Sequence, residues 1–295
     1  MKREIVLRPM TATDLPFADS LRALAGWNQT LADWERLLSL STTPGSGVAS
    51  KPGCFIAEWN GSPAGTVTTT CYGSQLAWIG MLLVHPDLRG RGIGRASLTR
   101  SLEYLRGRGI GCIKLDATPQ GQPLYEQLGF QAEWPLTRWQ IPRFVQTATP
   151  RLNNIRPCEE SDLRQIKHLD REAFGTHRQS FLKNLLGESY CARLLQTTKG
   201  LAGYGFLREG ARAFHLGPLV ATSRESAHLL VNAVLANASG KPVYWDIPDP
   251  NVEATSLAKG LGFTAQRPLL RMFLGENKSP GDAHRYFAII EPAVG

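Results

Sequence analysis

The chain has 295 residues, 42% of them hydrophobic and 20% charged, with a formal net charge of +8 at pH 7. This composition excludes disordered and collagen-like chains and is typical of a folded protein of about two domains. Its longest apolar run, Ala77 to Val84, is far shorter than the roughly 20 residues of a membrane span, so we expect a cytoplasmic protein without a membrane partner.

The predicted elements begin with a strand at 5–8 and helices at 13–24 and 31–40, all from hydrophobic periodicity. A loop rich in Pro, Gly and Ser, Thr43–Gly53, comes next. A β-hairpin follows, in which the strands CFIAEW and GTVTTTCY flank Asn60-Gly61. This dipeptide supplies the two positive φ angles of a type I′ turn, so it predicts a tight connection between the strands.

Farther along, the apolar stretch QLAWIGMLLV predicts a central strand, and leucines at helical spacing predict a helix at 95–105. The strand GCIKLDA, a short helix at 122–128 and a last strand pair around Pro135 complete the pattern. The segment Val145–Asn154, rich in Pro, Thr and Asn, is typical of a linker. These elements predict an α/β fold. Because helices flank a mixed, mostly antiparallel sheet, it belongs to the α+β type.

The chain repeats itself, which indicates two domains of similar fold. LGFQAEWPLTR, from Leu128, matches LGFTAQRPLLR, from Leu261, at seven of eleven positions with a shift of 133 residues. A second motif recurs with a shift of 148, so the second half is shorter by about fifteen residues. We therefore predict domains at 1–147 and 148–295. The residues of the second motif are Arg8, Pro9, Asp14, Leu15 and Leu21, which match Arg156, Pro157, Asp162, Leu163 and Leu169.

The hexapeptide RGRGIG occurs twice, at Arg89–Gly94 and at Arg106–Gly111. The first copy leaves a predicted strand and opens a helix, where unpaired N–H groups and the helix dipole favour a bound anion. The second copy leaves that helix, so we assign it a structural role, with Gly107 and Gly109 as left-handed C-caps. From Arg89 to Lys114, six Arg and one Lys face one Glu, a local charge of +6 that suits a polyphosphate or a nucleic acid.

Several site classes compete for the first copy. A dinucleotide fingerprint needs GxGxxG, whereas the spacing here is GxGxG, and a P-loop needs Gly-Lys followed by Ser or Thr. An ordinary tight turn stays open as an alternative. A nucleic-acid partner is not expected, because the Arg-rich stretch lacks interleaved aromatic residues and a helix-turn-helix pattern. Five scattered cysteines without a CxxC pair predict free thiols and no metal site.

The string LLVHPDLRGRGIG, followed thirty residues later by LYEQLGF, resembles the GNAT superfamily of acyl-CoA-dependent N-acyltransferases. Arg89, Gly92 and Gly94 fill the family signature [QR]xxGxG/A. In the second half, HLGPLVATSRESAHLL and WDIPDPN are similar to the C-terminal domain of tandem GNAT proteins. The resemblance implies an N-acetyltransferase in which a small-molecule or peptide amine attacks acetyl-CoA directly, without a metal.

The resemblance also implies which groups would hold the donor. A backbone N–H at the end of the central strand would stabilise an oxyanion, an effect of roughly 3 to 4 kcal/mol in other acyl-transfer sites. The strand residues that would bind the pantetheine and the acetyl carbonyl through their backbone are Leu82, Leu83 and Val84. The residues that would bind the diphosphate through their amides are Arg89, Gly90, Arg91, Gly92, Ile93 and Gly94, with Arg95 close by.

Tyr125 in LYEQLGF occupies the general-acid position of the family. A phenol with a pKa of about 10 can protonate a leaving thiolate whose thiol has a pKa near 8.5, at a cost of about 2 kcal/mol that positioning can offset. The structural alternative is a tyrosine packed at a helix edge. The Asn-x-x-Ala pattern that precedes this position in the family is present only in the second half, at Asn251 and Ala254.

The acceptor amine must lose a proton before it attacks, which costs roughly 4.6 kcal/mol at pH 7 for an alkyl ammonium. Glu58, His85 and Asp116 are candidates by neighbourhood only, so the general base stays unassigned, and a water relay or an amine of low pKa would also serve. Trp27 and Trp34 are candidates for the wall of an acceptor pocket, although core packing explains most tryptophans equally well.

The second half has lost the reactive elements. ATSRESAH follows Gly217–Val220 where the glycine loop would stand, although Thr222 or Ser223 can still cap a helix. Ala258 stands where the first half has Tyr125. We expect this half to shape the acceptor pocket or the surface of a homodimer. A non-catalytic acyl-CoA sensor is the alternative function for the whole chain.

Overall fold

A computed structural model describes residues 4–42, 53–146 and 154–295 of the chain. The predicted loop Thr43–Gly53 lies outside these ranges except for Gly53, and most of the predicted linker Val145–Asn154 lies outside them too. Within the ranges, no helix combines the length and the apolar character that crossing a bilayer requires.

The chain forms two compact units. Unit 1 comprises Met1–Leu115 with Leu274–Glu276 and Val294. Unit 2 comprises Asp116–Phe273 and Asn277–Ala293 with Gly295.

Unit 1 contains a sheet of order β1-β2-β3-β4-β5, in which neighbours are antiparallel except for the parallel pair β4 and β5. Each element predicted for this region is present, with ends shifted by a few residues. Asn60 and Gly61 have φ angles of 51° and 82°, which confirms the predicted turn between β2 and β3. The elements are β1 Ile5–Pro9, α1 Leu15–Leu24, α2 Leu31–Thr42, β2 Phe55–Trp59, β3 Ser62–Tyr72, β4 Leu76–Val84, α3 Ile93–Gly107 and β5 Cys112–Ala117, whose last two residues belong to unit 2.

Unit 2 contains a sheet of order β12-β6-β11-β10-β9-β8-β7, with β13 beside β10. Its mostly antiparallel pairing confirms the predicted α+β class for this unit as well. Its elements are α4 Gln122–Gln127, β6 Gln131–Ile141, β7 Ile155–Pro157, α5 Leu163–Phe174, α6 Gln179–Glu188, β8 Cys191–Thr197, β9 Gly200–Arg208, β10 Phe214–Ala221, α7 Arg224–Leu235, β11 Val243–Pro248, α8 Val252–Gly260, β13 Tyr286–Ala288 and β12 Thr264–Gly275, whose last two residues belong to unit 1.

The strand pair predicted around Pro135 is wrong. One long strand, β6, runs through this position and is antiparallel to β11 on one side and to β12 on the other. Both partners come much later in the sequence, so residues of the first repeat lie in unit 2. The boundary between the compact units therefore differs from the boundary between the repeats, 1–147 and 148–295.

The repeated Arg-Pro…Asp-Leu motif forms the same ion pair in each unit. The guanidinium of Arg8 donates to both carboxylate oxygens of Asp14 at 2.8 and 2.7 Å, and Arg156 binds Asp162 at 2.7 and 2.6 Å. Asp14 also accepts the Thr11 N–H at 2.8 Å. These bonds, chiefly the one from Arg8, lower the pKa of Asp14 to about 2. The motif thus holds the first strand of each half to the turn that starts the next helix.

Candidate active site

Strand β4 is bent by a bulge near its end. The register of β3 and β4 shifts between the pairs Thr66–Leu83 and Thr68–Gly80. Within the bulge, Met81 has a φ of 49°, and its carbonyl accepts the Thr66 hydroxyl at 2.8 Å. The bulge bends β4, while Leu83 and Val84 stay paired with Thr66 and Gly65 of β3.

Strands β4 and β5 separate where β4 bends. Their parallel pairing covers only Leu76–Trp78 of β4, and in the described part of the chain no other strand pairs with the edge beyond. The His85 N–H binds the Ala64 carbonyl of β3 at 2.9 Å. In an antiparallel ladder, polar groups alternate between the two edges, so the N–H and C=O of Val84 point to the open edge. The Val84 carbonyl there accepts the Arg89 Nε at 3.4 Å.

The first RGRGIG copy forms a turn that delivers the chain into α3. Gly90 and Gly92 have φ angles of 74° and 84°, a region that only glycine enters without strain. The first intrahelical bond joins the Ala96 N–H to the Gly92 carbonyl at 3.0 Å, so the N–H groups of Ile93 and Gly94 have no partner within the helix. The buried Ile93 side chain anchors the turn among Ala57, Ala64 and partly buried neighbours.

Positive charge surrounds this turn. Arg89, Arg91 and Arg95 are all exposed, and the Arg91 guanidinium lies 5.5 Å from the centre of the Trp59 ring. A surface pocket of about 440 Å³ runs along α3 and is lined in part by Gly92, Arg95 and Arg100. The turn, the helix start, the arginines and the open strand edge therefore occur together in unit 1. Binding of a donor there stays a prediction.

The second RGRGIG copy ends α3. Gly109 has a φ of 69°, and the N–H groups of Gly109 and Ile110 bind the carbonyls of Arg106 and Leu105 at 2.9 and 3.2 Å, which is a Schellman motif. The predicted left-handed cap is confirmed for Gly109. For Gly107 it is wrong, because this residue is the last of the helix and lacks a positive φ.

Tyr125 lies on the short helix α4 of unit 2. Its ring packs edge-on against Phe130 at 6.0 Å, and a Cβ at position 121 would approach the ring to 3.0 Å, so Gly121 makes room for it. The residue is half-buried, and desolvation of the phenol raises the pKa of Tyr125 to about 12. The hydroxyl therefore keeps its proton at neutral pH.

The three candidate bases occupy different environments. Glu58 accepts the Arg8 Nε at 2.6 Å. Asp116 is buried and bound by two nitrogens of Arg271 at 2.8 and 2.9 Å, while burial raises its pKa. His85 is partly exposed, with its Nδ1 3.8 Å from Asp87. Two of the three candidate bases, Glu58 and Asp116, are therefore each bound to an arginine.

The two tryptophans proposed for a pocket wall differ in exposure. Trp34 is fully buried, in keeping with core packing, whereas Trp27 is half-buried. Among the described residues, no group of three or more His, Cys, Asp or Glu side chains is placed to hold a metal ion.

The second half keeps the helix start without the glycine turn. Helix α7 begins at Arg224, and the Ser223 hydroxyl accepts the Ser226 N–H at 3.2 Å, which confirms that Ser223 can cap this helix. Ala258, the counterpart of Tyr125, is fully buried and offers no proton.

Comparison with known proteins identifies two matching regions. Residues 24–130 match the family described as "Acetyltransferase (GNAT) family", and residues 166–288 match the "Acetyltransferase (GNAT) domain". The uncharacterized N-acetyltransferase YitH of Bacillus subtilis is 26% identical over 227 residues, which cover 75% of this chain and 77% of that protein. Holothin acyltransferase of a Pseudoalteromonas species is 23% identical over 271 residues, which cover 91% of this chain and 87% of that protein.

Solved structures show the same architecture. A candidate acetyltransferase from Pyrococcus horikoshii superposes with a TM-score of 0.82 and 25% identity, covering 99% of this chain and 96% of that one. A tandem GNAT protein from the clavulanic acid biosynthesis pathway has a TM-score of 0.65 and 15% identity, covering 92% and 98% of the two chains. The second likeness concerns the fold alone.

Proposed function

Because the chain belongs to the GNAT family of acetyltransferases, in a tandem arrangement, we propose that it transfers an acetyl group from acetyl-CoA to an amine. The observation that carries the proposal is the junction of β4 and α3, where an open strand edge leads into a glycine turn and a helix start whose first N–H groups lack a partner within the helix. A donor with a long arm and a phosphate-rich end could lay its arm along the strand edge and its phosphates against the glycine turn. The two lie within a few residues of each other.

The diphosphate of the donor binds the amides between Arg89 and Gly94. Two left-handed glycines let the backbone approach the ligand without a Cβ in the way, and the helix dipole favours the negative charge. The exposed side chains of Arg91 and Arg95 add charge from the same turn. These arginines give the turn a positive charge that suits an anionic ligand.

The pantetheine arm lies along the open edge of β4, where Leu82, Leu83 and Val84 end the strand. The Val84 N–H and C=O point to this edge, so they can bond the amides of an extended ligand as a neighbouring strand would. A backbone N–H at the bulge faces the acetyl oxygen and stabilises the charge that develops there in the transition state.

Tyr125, by its place in the GNAT motif, is the group proposed to act on the departing thiolate. With a pKa of about 12, full transfer to a thiolate whose thiol has a pKa near 8.5 costs about 5 kcal/mol. This cost exceeds the 2 kcal/mol expected for an ordinary phenol, so the hydroxyl stabilises the thiolate as a hydrogen-bond donor. The thiolate takes up the proton that the attacking amine loses as it becomes an amide, so the free thiol leaves. No covalent enzyme intermediate is needed, because the amine attacks the thioester directly.

The amine reaches the site in its neutral form. Glu58 and Asp116 are each paired with an arginine, so either carboxylate would have to give up that partner before it could accept the proton of the amine. An acceptor of low pKa, or one deprotonated through water, meets this condition. We place catalysis in the first half, 1–147, and assign 148–295 to the acceptor pocket or a dimer surface.

Thiol release from acetyl-CoA tests the function against a panel of amino acids, polyamines, aminoglycosides and peptides. We expect turnover with at least one amine, and binding of coenzyme A by calorimetry. The occupied carboxylates favour one second candidate, a non-catalytic acyl-CoA sensor. A sensor would bind coenzyme A and release no thiol with any acceptor. A protein that ignores coenzyme A refutes both functions.

A further inference from the structure

The second half of the chain repeats the strand separation of the first. Strands β10 and β11 are parallel only where Phe214–Leu216 pairs with Val243–Trp245, and beyond this point the ladder ends. In unit 1 the pairing of β4 and β5 likewise stops after three residue pairs. Each half therefore forms a cleft between two diverging parallel strands.

In the second half the cleft is filled by the chain itself. Strand β13 pairs antiparallel with β10, with Leu219 opposite Ala288 and Val220 opposite Tyr286. On its other side, the Ile289 N–H binds the Asp246 carbonyl of β11 at 3.1 Å. The indole N–H of Trp245 donates to the Phe287 carbonyl at 2.8 Å. The segment Tyr286–Ile290 thus bonds to both walls of the cleft, and all five residues are at most 1% exposed.

The surrounding residues are shaped for this strand. Gly217 has a φ of 150°, and a Cβ there would lie 2.0 Å from the Ile289 carbonyl oxygen, so the two backbones are in direct contact. The side chain of Asn251 donates to the carbonyls of His284 and Tyr286 at 2.8 and 3.3 Å. The same side chain accepts the Ala254 N–H at 2.9 Å. In the second half, the side chain of the Asn-x-x-Ala asparagine therefore forms its hydrogen bonds with the backbone of the same chain.

A buried ion pair fixes the start of the segment. The Tyr286 hydroxyl accepts the Arg178 Nη2 at 2.8 Å, and Arg178 is bound to Asp170 through both carboxylate oxygens. Both charged side chains are at most 1% exposed, so displacing Tyr286 would remove a hydrogen bond from a buried guanidinium. Ligand binding in this cleft would thus have to break strand pairing, side-chain bonds and part of a buried charge network.

We propose that the segment Tyr286–Ile290 stands in for a ligand in the second half, as an extended peptide that keeps this cleft closed, so that one chain binds one donor molecule. The stoichiometry rests on the proposed function of the first half. The closure of the second cleft stands on the contacts of unit 2 alone. The missing glycine turn and the inserted strand act together: one removes the phosphate site and the other removes the space for the pantetheine.

Hydrogen exchange on the full chain tests the closure without any ligand. We expect the amides of Tyr286–Ile290 to exchange at least about a thousandfold more slowly than unprotected amides, because buried strand bonds open only in rare fluctuations. Added coenzyme A should leave their rates unchanged. Near-unprotected exchange in this segment overturns the proposal.

A matched pair of variants checks the contact at Gly217. Gly217→Ala places a methyl group against the Ile289 carbonyl and should speed exchange of the segment at least tenfold. In Gly260→Ala the added Cβ meets nothing within 4 Å, and exchange of the segment should stay as in the wild type. Equal effects of the two substitutions contradict the proposal.

Calorimetry with coenzyme A measures the stoichiometry. We expect one site per chain, and none in Gly92→Asp, which blocks the first-half turn. Two sites in the wild type overturn the closure. If the wild type binds no coenzyme A, the function proposed for the first half fails, and the exchange data still decide the state of the second cleft.

Discussion

The two RGRGIG copies offer an internal control for the phosphate turn. Gly92 and Gly109 occupy the same place in the hexapeptide, and both have left-handed φ angles, 84° and 69°. A Cβ on Gly92 would meet only Ile5 Cδ1, at 3.9 Å, and a Cβ on Gly109 would meet nothing within 4 Å. Substitution by alanine therefore perturbs the two turns in nearly the same way, through backbone strain and without a steric clash.

The expected loss of stability is similar for both variants. An alanine held in the left-handed region costs roughly 1 to 2 kcal/mol, so Gly92→Ala and Gly109→Ala should lower the free energy of unfolding by about that amount. Donor binding should differ between them, because only the amides around Gly92 are proposed to touch a phosphate. We expect Gly92→Ala to raise the Kd for coenzyme A at least tenfold, about 1.4 kcal/mol, and Gly109→Ala to leave it unchanged.

Isothermal calorimetry gives the two affinities, and urea denaturation gives the two stabilities. The stability data show whether the substitutions are matched, so any difference in affinity can be assigned to the turn. If both variants bind coenzyme A equally well, the amides of Arg89–Gly94 do not hold the diphosphate. If both lose affinity equally, the loss comes from general destabilisation.

Three further predictions concern the proton donor and two ion pairs. Tyr125→Phe should lower kcat at least tenfold in thiol release, with an unchanged Kd for coenzyme A, because only the hydroxyl is lost. The lowered pKa of Asp14, about 2, means that unfolding takes up a proton as the pH falls from 4 to 2. The pair with Arg8 contributes its full stabilisation above pH 4, and the free energy of unfolding falls by about 1 to 2 kcal/mol between pH 4 and pH 2. This range is reduced to allow for solvent screening at the partly exposed Arg8. Asp246→Asn should cost about 3 to 5 kcal/mol in urea denaturation, because it leaves the Arg138 guanidinium buried without its carboxylate.

Each of these predictions has a matched control. Tyr190→Phe removes an exposed hydroxyl and should leave kcat unchanged. In Asp14→Asn the acid-induced loss between pH 4 and 2 should shrink, and an unaltered pH profile contradicts the assignment. Asp282→Asn removes a surface partner of Arg285 and should cost less than about 1 kcal/mol. If Asp246→Asn lowered the free energy of unfolding no more than Asp282→Asn does, the buried pair would be no stronger than the surface pair.

Interactions between residues close in sequence were enough to predict much of the fold. The Asn60-Gly61 turn and the cap at Ser223 could be predicted because the residues that form them lie within a few positions of each other. The order of strand, glycine turn and helix around Gly92 was visible for the same reason. The predicted left-handed cap at Gly107 is wrong because the last residue of a helix depends on competing hydrogen bonds that the sequence pattern does not rank.

The tertiary structure decided which distant groups meet. The partners of β6 come from the far end of the chain, so the prediction of a local strand pair around Pro135 failed. The arginines that occupy Glu58 and Asp116, the burial that raises the pKa of Tyr125 and the strand that fills the second cleft were likewise invisible in the sequence. The physical reason is that turns and caps depend on φ and ψ angles and hydrogen bonds between near neighbours, whereas strand pairing, ion pairing and desolvation depend on which surfaces the folded chain brings into contact.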